Sequence, residues 1–220
     1  MKLSELDPAE NYPEHYPPRD FLVSGNAVAQ SQADALAQLV EQQKSETEVD
    51  KYLRKNPSLL GACMNFTRFG HHGTWVVSQQ MVRPPLTSAQ SGMKPDYIVG
   101  GRGSEGFLWM VVELKGVDQP LFVQKGKRLA LSSYANQGLC QLLEYVQYCN
   151  SAQSYIREQL RLTDFSNPKG LLLIGRQGEI DSNPRKQALR RQLNAAFSGH
   201  IEIRTYDALV RSNHTSHAEE

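Results

Sequence analysis

Cysteine is scarce in this chain of 220 residues: Cys63, Cys140 and Cys149 are the full set, and none stands at a metal-ligand spacing from another. An odd number of such scattered thiols argues against a disulfide framework or a cysteine metal site. Three reduced, buried thiols are the expectation. Long apolar runs are missing as well. Nothing approaches the roughly 18 consecutive apolar residues of a membrane span, so no membrane partner is expected. Residues 1–20 are polar and contain Pro8, Pro13, Pro17 and Pro18. They lack the apolar centre of a secretory leader, which leaves the cytoplasm as the expected location. Internal repeats are absent. Net charge is also nearly absent, with 24 Lys and Arg against 23 Asp and Glu. That balance conceals an asymmetry. Residues 1–50 carry three basic and ten acidic residues, and residues 51–220 carry 21 basic and 13 acidic. An acidic leader before a basic body suits a domain that binds a polyanion, although asymmetry of this size also occurs without such a partner.

What is present is a split motif. Lys94-Pro95-Asp96 opens one apolar run, Asp96-Tyr97-Ile98-Val99, and Glu113-Leu114-Lys115 closes the next, which begins Phe107-Leu108-Trp109-Met110-Val111-Val112. Between them lies the glycine-rich turn Gly100-Gly101-Arg102-Gly103-Ser104-Glu105-Gly106. Two β-rich runs around such a turn predict a hairpin. A turn centred between Ser104 and Glu105 sets Asp96 opposite Glu113, where opposed residues share a face with Cβ atoms about 4.5–5.5 Å apart. Lys115 shares that face because strand side chains alternate. Two carboxylates and an ammonium then converge at one end of a strand that is apolar on both faces. Hard cations such as Mg²⁺ bind through one or two carboxylates plus waters and phosphate oxygens. A nearby lysine can orient the attacking water or offset charge developing at phosphorus.

Around this motif the periodicities predict helices over 27–43 and from Ser45 to about Asn56, the second opened by a Ser45/Glu48 capping box. A strand over 75–82 follows, entered through Gly70-His71-His72-Gly73 and ended by Pro84-Pro85. Adjacent strand histidines point opposite ways, so His71 and His72 are assigned to a turn or to solvent. A long connection, 116–131, holds Lys125, Lys127 and Arg128. A helix over 132–149 carries the stripe Leu139, Leu142, Leu143, Val146 and Cys149, with Gln137, Gln141 and Tyr145 on another line. A buried strand at 170–175, a basic helix over 183–197 (Arg185, Lys186, Arg190, Arg191), a strand at 201–206, a short helix and a disordered polar tail complete the chain. The expected architecture is α/β, a mixed sheet with helices on its faces. Three parts are expected: a partly irregular extension over 1–44, a domain over 45–212, and the tail over 213–220. Removal of residues 1–43 is expected to leave the core soluble, and the leader is expected to touch the nucleic-acid face or a subunit interface.

The order helix, three strands, helix, strand, with Pro95-Asp96 on one strand and Glu113-Leu114-Lys115 on the next, resembles the PD-(D/E)xK nuclease superfamily. Gln141-Leu142-Leu143-Glu144-Tyr145 is similar to the Q-x-x-x-Y helix motif of some of its branches. Asp50-Lys51-Tyr52-Leu53-Arg54-Lys55-Asn56-Pro57-Ser58-Leu59-Leu60 and Ile203-Arg204-Thr205-Tyr206-Asp207-Ala208-Leu209 resemble the Shedu anti-phage nuclease domain, as does the run from Gly170 to Gly175 followed by an arginine. The likeness covers about residues 45–212. It implies a restriction-endonuclease-like core of αβββαβ order with a further helix and strand, cutting DNA with Mg²⁺, or Mn²⁺ as a substitute ion, in bacterial defence. By that resemblance Asp96 and Glu113 hold the metal, and Lys115 acts on the attacking water. A glutamate from the first core helix joins them. Glu46 and Glu48 are both candidates, with Glu48 preferred; as helix N-terminal residues either also suits the helix dipole. Gln141 and Tyr145 would face a water of the metal or a phosphate, or else form a polar helix face packed on the sheet. Lys125, Lys127 and Arg128 would follow DNA phosphates, while the cations of 183–197 default to a solvated face. A homo-oligomer is expected. A catalytically silent module binding DNA or a protein, and a repair or junction nuclease, are the competing readings.

Overall fold

The computed structural model describes residues 12–23, 28–67, 69–83 and 92–215. Residues 1–11 of the leader, the expected first-helix start at Ala27, the expected strand end at Pro84-Pro85 and most of the expected disordered tail lie outside these.

Six strands of the described residues make the main sheet: β1 (Leu22–Val23), β2 (Thr74–Ser78), β3 (Tyr97–Gly103), β4 (Gly106–Leu114), β7 (Lys169–Leu173) and β8 (Ile201–Arg204). They lie side by side in the order β1-β2-β3-β4-β7-β8. β1 to β4 run antiparallel, and β4, β7 and β8 are parallel neighbours. The β3–β4 register runs from Tyr97↔Val112 to Gly103↔Gly106, the register read from the sequence. The turn itself is shorter than the glycine-rich stretch. Gly100 to Gly103 are strand residues, and only Ser104-Glu105 connect the strands. Strand position 100 has to be glycine because the Trp109 ring lies across it, where any Cβ would collide with the indole.

The sheet separates two apolar layers, as strand alternation requires. Ile98, Trp109 and Val111 face one layer with Leu139, Leu142 and Cys149 of α4 (Ser133–Ser151). Val99, Met110, Val112 and Leu114 face the other. There they meet α1 (Gln30–Glu41), α2 (Glu46–Lys55) and α8 (Tyr206–Thr215). α4 supplies the crossover that two parallel neighbours need. Its N-cap is Ser132, whose hydroxyl accepts from the Ala135 N–H at 3.0 Å. Leu143 departs from the expected stripe and is exposed, because Leu139, Leu142, Val146 and Cys149 already fill the inward face. Cys140 is exposed too, whereas Cys63 and Cys149 are buried with thiols pushed up to about 12 by burial. The expectation of three buried thiols therefore holds for two.

The remaining strands and α-helices are α3 (Ser58–Gly61), β5 (Phe122–Lys125), β6 (Arg128–Leu131), α5 (Gln153–Glu158), α6 (Gln177–Asp181) and α7 (Pro184–Ala196). The expected loop at 116–131 thus contains an antiparallel ribbon, β5–β6, separate from the main sheet. His71 and His72 lie in the turn before β2, as expected. The described part of the leader, from residue 12, is more ordered than its prolines suggest. Tyr16 is buried, its ring edge-on to Trp75 and Phe107, and the Trp75 indole N–H donates to the Tyr12 hydroxyl at 2.8 Å.

Candidate active site

Glu113 and Lys115 stand at the carboxyl end of β4, where the sheet meets α4 on one face and α2 on the other. Both are buried. The Lys115 ammonium donates to Glu113 Oε1 at 2.6 Å, and the Lys115 N–H donates to the Leu173 carbonyl at 2.9 Å. Asp96 precedes β3 in the position that the register sets opposite Glu113, and its Oδ2 accepts the Leu114 N–H at 2.9 Å. The three residues that the sequence singled out are therefore neighbours. α4 leaves room for them at Gly138. A Cβ there would stand 2.9 Å from both Lys115 Cγ and Leu172 Cδ1, and 3.0 Å from Lys115 Cε.

The electrostatics follow from burial. Glu113 is raised to about 7, chiefly by lost hydration and then by the Asp96 carboxylate, while Lys115 pulls it down. Asp96 is raised as well, first by burial and then by Asp50, against the lowering hydrogen bond from Leu114 and the charge of Lys115. A single ammonium does not compensate both the buried Glu113 and the half-buried Asp96 carboxylates. Among the described residues no three Asp, Glu, His or Cys side chains form a ready-made metal cage. Mg²⁺ does not demand one, since one or two carboxylates with waters suffice.

α2 brings further carboxylates. Glu48 is committed to the helix end: its Oε2 accepts from the Ser45 hydroxyl at 2.8 Å and the Ser45 N–H at 3.2 Å, and Lys44 is 3.5 Å from Oε1. Those bonds to Ser45 lower its pKa. Glu46, at the first position of the helix, faces the site instead. Its carboxyl is raised chiefly by lost hydration, lowered by Lys115, and raised again by Asp96, Asp50 and Asp118. Asp50, one turn further along α2, accepts from the Tyr97 hydroxyl at 2.6 Å and pairs with Arg54 at 2.8 Å. Spacing signals this line, since Glu46, Asp50 and Arg54 recur every four residues on one helix face.

On α4, Gln141 Oε1 is buried without a hydrogen-bond partner. The Tyr145 hydroxyl is raised by burial first, then by Glu113, Asp96 and Glu144. Tyr206, at the start of α8, carries no catalytic signal in the sequence beyond its place in the closing motif. Its hydroxyl is fully buried and unpartnered, and Glu46, Asp96, Tyr97 and Asp50 all act on it. Orphaned buried polar atoms are uncommon in native proteins; that of Tyr206 feels Glu46, Asp96 and Asp50, and Gln141 follows Gly138 by three residues on α4. Lys125, Lys127 and Arg128 are apart from this cluster, exposed on the β5–β6 ribbon. A divalent ion fits the donor set: two adjoining carboxylates whose charge one ammonium does not offset.

The structure is a mixed sheet flanked by helices, with an acid entering one strand and Glu-x-Lys ending the next. The chain belongs to the Shedu family: residues 43–210 match Shedu protein SduA, C-terminal. No curated protein matches the chain. Among solved structures it is similar to the restriction endonuclease FokI bound to DNA, at 12% identity and a TM-score of 0.46. That likeness covers 88% of this chain and 31% of the FokI chain. Among the described residues no helix is long and apolar enough to cross a membrane.

Proposed function

We propose that the chain is a metal-dependent endonuclease that hydrolyses DNA phosphodiester bonds in bacterial defence against phage. The observation that carries this reading is the Asp96–Glu113 pair, a buried Glu113 opposite a half-buried Asp96, with the Lys115 ammonium against them. Asp96 and Glu113 would hold Mg²⁺, or Mn²⁺ in its place, with Glu46 rather than Glu48 as the further carboxylate from α2. When bound, such an ion withdraws charge from a phosphoryl oxygen and favours the deprotonated form of water.

The chain's own residues supply the rest. Lys115, fixed by Glu113 and by the space above Gly138, donates a hydrogen bond to the attacking water or to an oxygen gaining charge at phosphorus. An ammonium has no lone pair, so Lys115 orients and stabilises without acting as a ligand. The water oxygen bonds to phosphorus as the bond to the leaving oxygen breaks; the water's proton passes to bulk solvent, and the leaving oxygen takes one from solvent. Gln141 Oε1, buried and unpartnered, accepts a hydrogen bond from that water and so orients it. The Tyr145 hydroxyl, kept neutral, donates to a phosphate oxygen. The defence setting rests on family membership and not on the geometry.

The test compares Mg²⁺-dependent cleavage of supercoiled plasmid, linear duplex, branched and single-stranded DNA. Cutting of plain duplex DNA is expected. Cleavage confined to branched DNA would indicate a junction or repair nuclease, and failure to cut any of them would leave a binding module.

A further inference from the structure

The β5–β6 ribbon leaves the molecule at the same end as Glu113 and Lys115. Leu121 and Phe122 anchor its root in the α4-side apolar layer, and the Ser132 N–H closes it by donating to the Leu121 carbonyl at 3.0 Å. Ser132 then caps α4. Gly138, against Lys115, follows six residues later, about 9 Å at the helical rise. The ribbon ends in the two-residue turn Gly126-Lys127, with Gly126 at φ 57° and Lys125 paired with Arg128. Four residues per strand put its tip about 13 Å from its root.

Lys125, Lys127 and Arg128 are all exposed there. Lys125 and Arg128 stand directly opposite, a pairing of like charges that destabilises a ribbon unless an anion joins it. A two-stranded ribbon is also marginal without support. The support comes from α7: Arg185 Nη2 donates to the Lys127 carbonyl at 3.2 Å. Arg185 occupies the first turn of that helix, and its own N–H donates to the N-cap Asn183 at 2.9 Å. The positive end of the α7 dipole therefore lies beside the ribbon tip. The nearest acids on α6 are engaged elsewhere. Glu179 pairs with Lys186, and Asp181 accepts from Gln177 and Gln187. The two basic segments that look separate in sequence are thus one surface.

We infer that the β5–β6 ribbon and the N-terminus of α7 form a single arm that grips the phosphate backbone of duplex DNA beside the Asp96–Glu113–Lys115 centre, braced by Arg185. This rests on DNA as the substrate of that centre. The arm meets phosphate, so it positions DNA without reading its sequence.

The test measures binding of a fluorescent duplex to full-length Asp96→Asn protein, without Mg²⁺, across a range of NaCl concentrations. Lys125→Ala/Lys127→Ala/Arg128→Ala should weaken binding roughly tenfold or more. Its slope of log K against log salt should become shallower by about 2 to 3, near 0.9 for each phosphate no longer neutralised. Arg185→Gln should act in the same direction with a smaller change. The global melt should match the parent, since every altered side chain is exposed and the ribbon lies outside the main sheet, so any loosening stays within the ribbon. If the parent binds duplex and both variants keep its affinity and slope, the arm is wrong and the nuclease reading survives. If the parent itself fails to bind duplex, both fall together.

Discussion

Lys115 joins the metal question to the chemistry, and two substitutions address it from different sides. Lys115→Met keeps most of the stem and removes the charge. Mg²⁺ binding by calorimetry should persist or strengthen, because a positive neighbour has gone, while cleavage should fall by about 10²–10⁴-fold, typical of a lost proton-transfer group. Gly138→Ala tests the same ammonium without touching it. Alanine ordinarily favours a helix over glycine by about 1 kcal/mol, which offsets part of the crowding against Lys115 and Leu172. The melting temperature should hardly move, Mg²⁺ binding should remain, and cleavage should drop on the order of 10²-fold through misplacement. Normal cleavage by both variants would make Lys115 a bystander. Asp96, Glu113 and Lys115 are legible in sequence because strand alternation and a short turn determine which residues meet. Gly138 and Tyr206 are not. Their proximity to the site depends on how helices lie over the sheet, which no local spacing encodes.

At the scale of elements, α2 shows how one signal can carry two meanings. Ser45 and Glu48 read correctly as a capping box, and the cap itself occupies the Glu48 carboxylate. Glu46 is left to face Lys115 and Asp96. Glu46→Gln should therefore weaken Mg²⁺ binding and slow cleavage. Glu48→Gln should change neither, because glutamine also serves at that capping position. The reverse pattern in calorimetry would restore Glu48 to the site. The β5–β6 ribbon has a sequence signal of its own. Gly126 in the first place of a two-residue turn, between Phe122-Val123 and Leu129-Ala130-Leu131, suits a type II′ hairpin. The exposed cations on either side of the turn mask the alternation and make the segment look like a loop.

At the scale of the whole molecule, the order of strands and helices is largely legible because α4 has a clear apolar stripe and the core strands are continuously apolar. The place of the leader is not. Its charge and prolines suggest a detachable extension, yet Ala33, Leu36 and Val40 of α1 are buried in one apolar layer with Val49, Leu53 and Leu209. Tyr16 closes the other layer. Each large apolar side chain buried in this way contributes about 1.5–3 kcal/mol, against a total stability of roughly 5–15 kcal/mol. Deleting residues 1–43 should therefore cost cooperative unfolding or solubility, contrary to the sequence expectation. A soluble fragment with a sharp melt by circular dichroism would show that α1 is dispensable.

Everything proposed for this site depends on Asp96 and Glu113 acting with a divalent ion on DNA. Nicking of supercoiled plasmid, with and without Mg²⁺, by the wild-type chain and by Asp96→Asn tests this most directly. The substitution is nearly isosteric and removes a charge that the ion requires. The expected result is nicking by the wild type with Mg²⁺ only, and none by a folded Asp96→Asn at the same metal concentration. Nicking by Asp96→Asn at the wild-type rate, or by the wild type in the presence of a chelator, would contradict it.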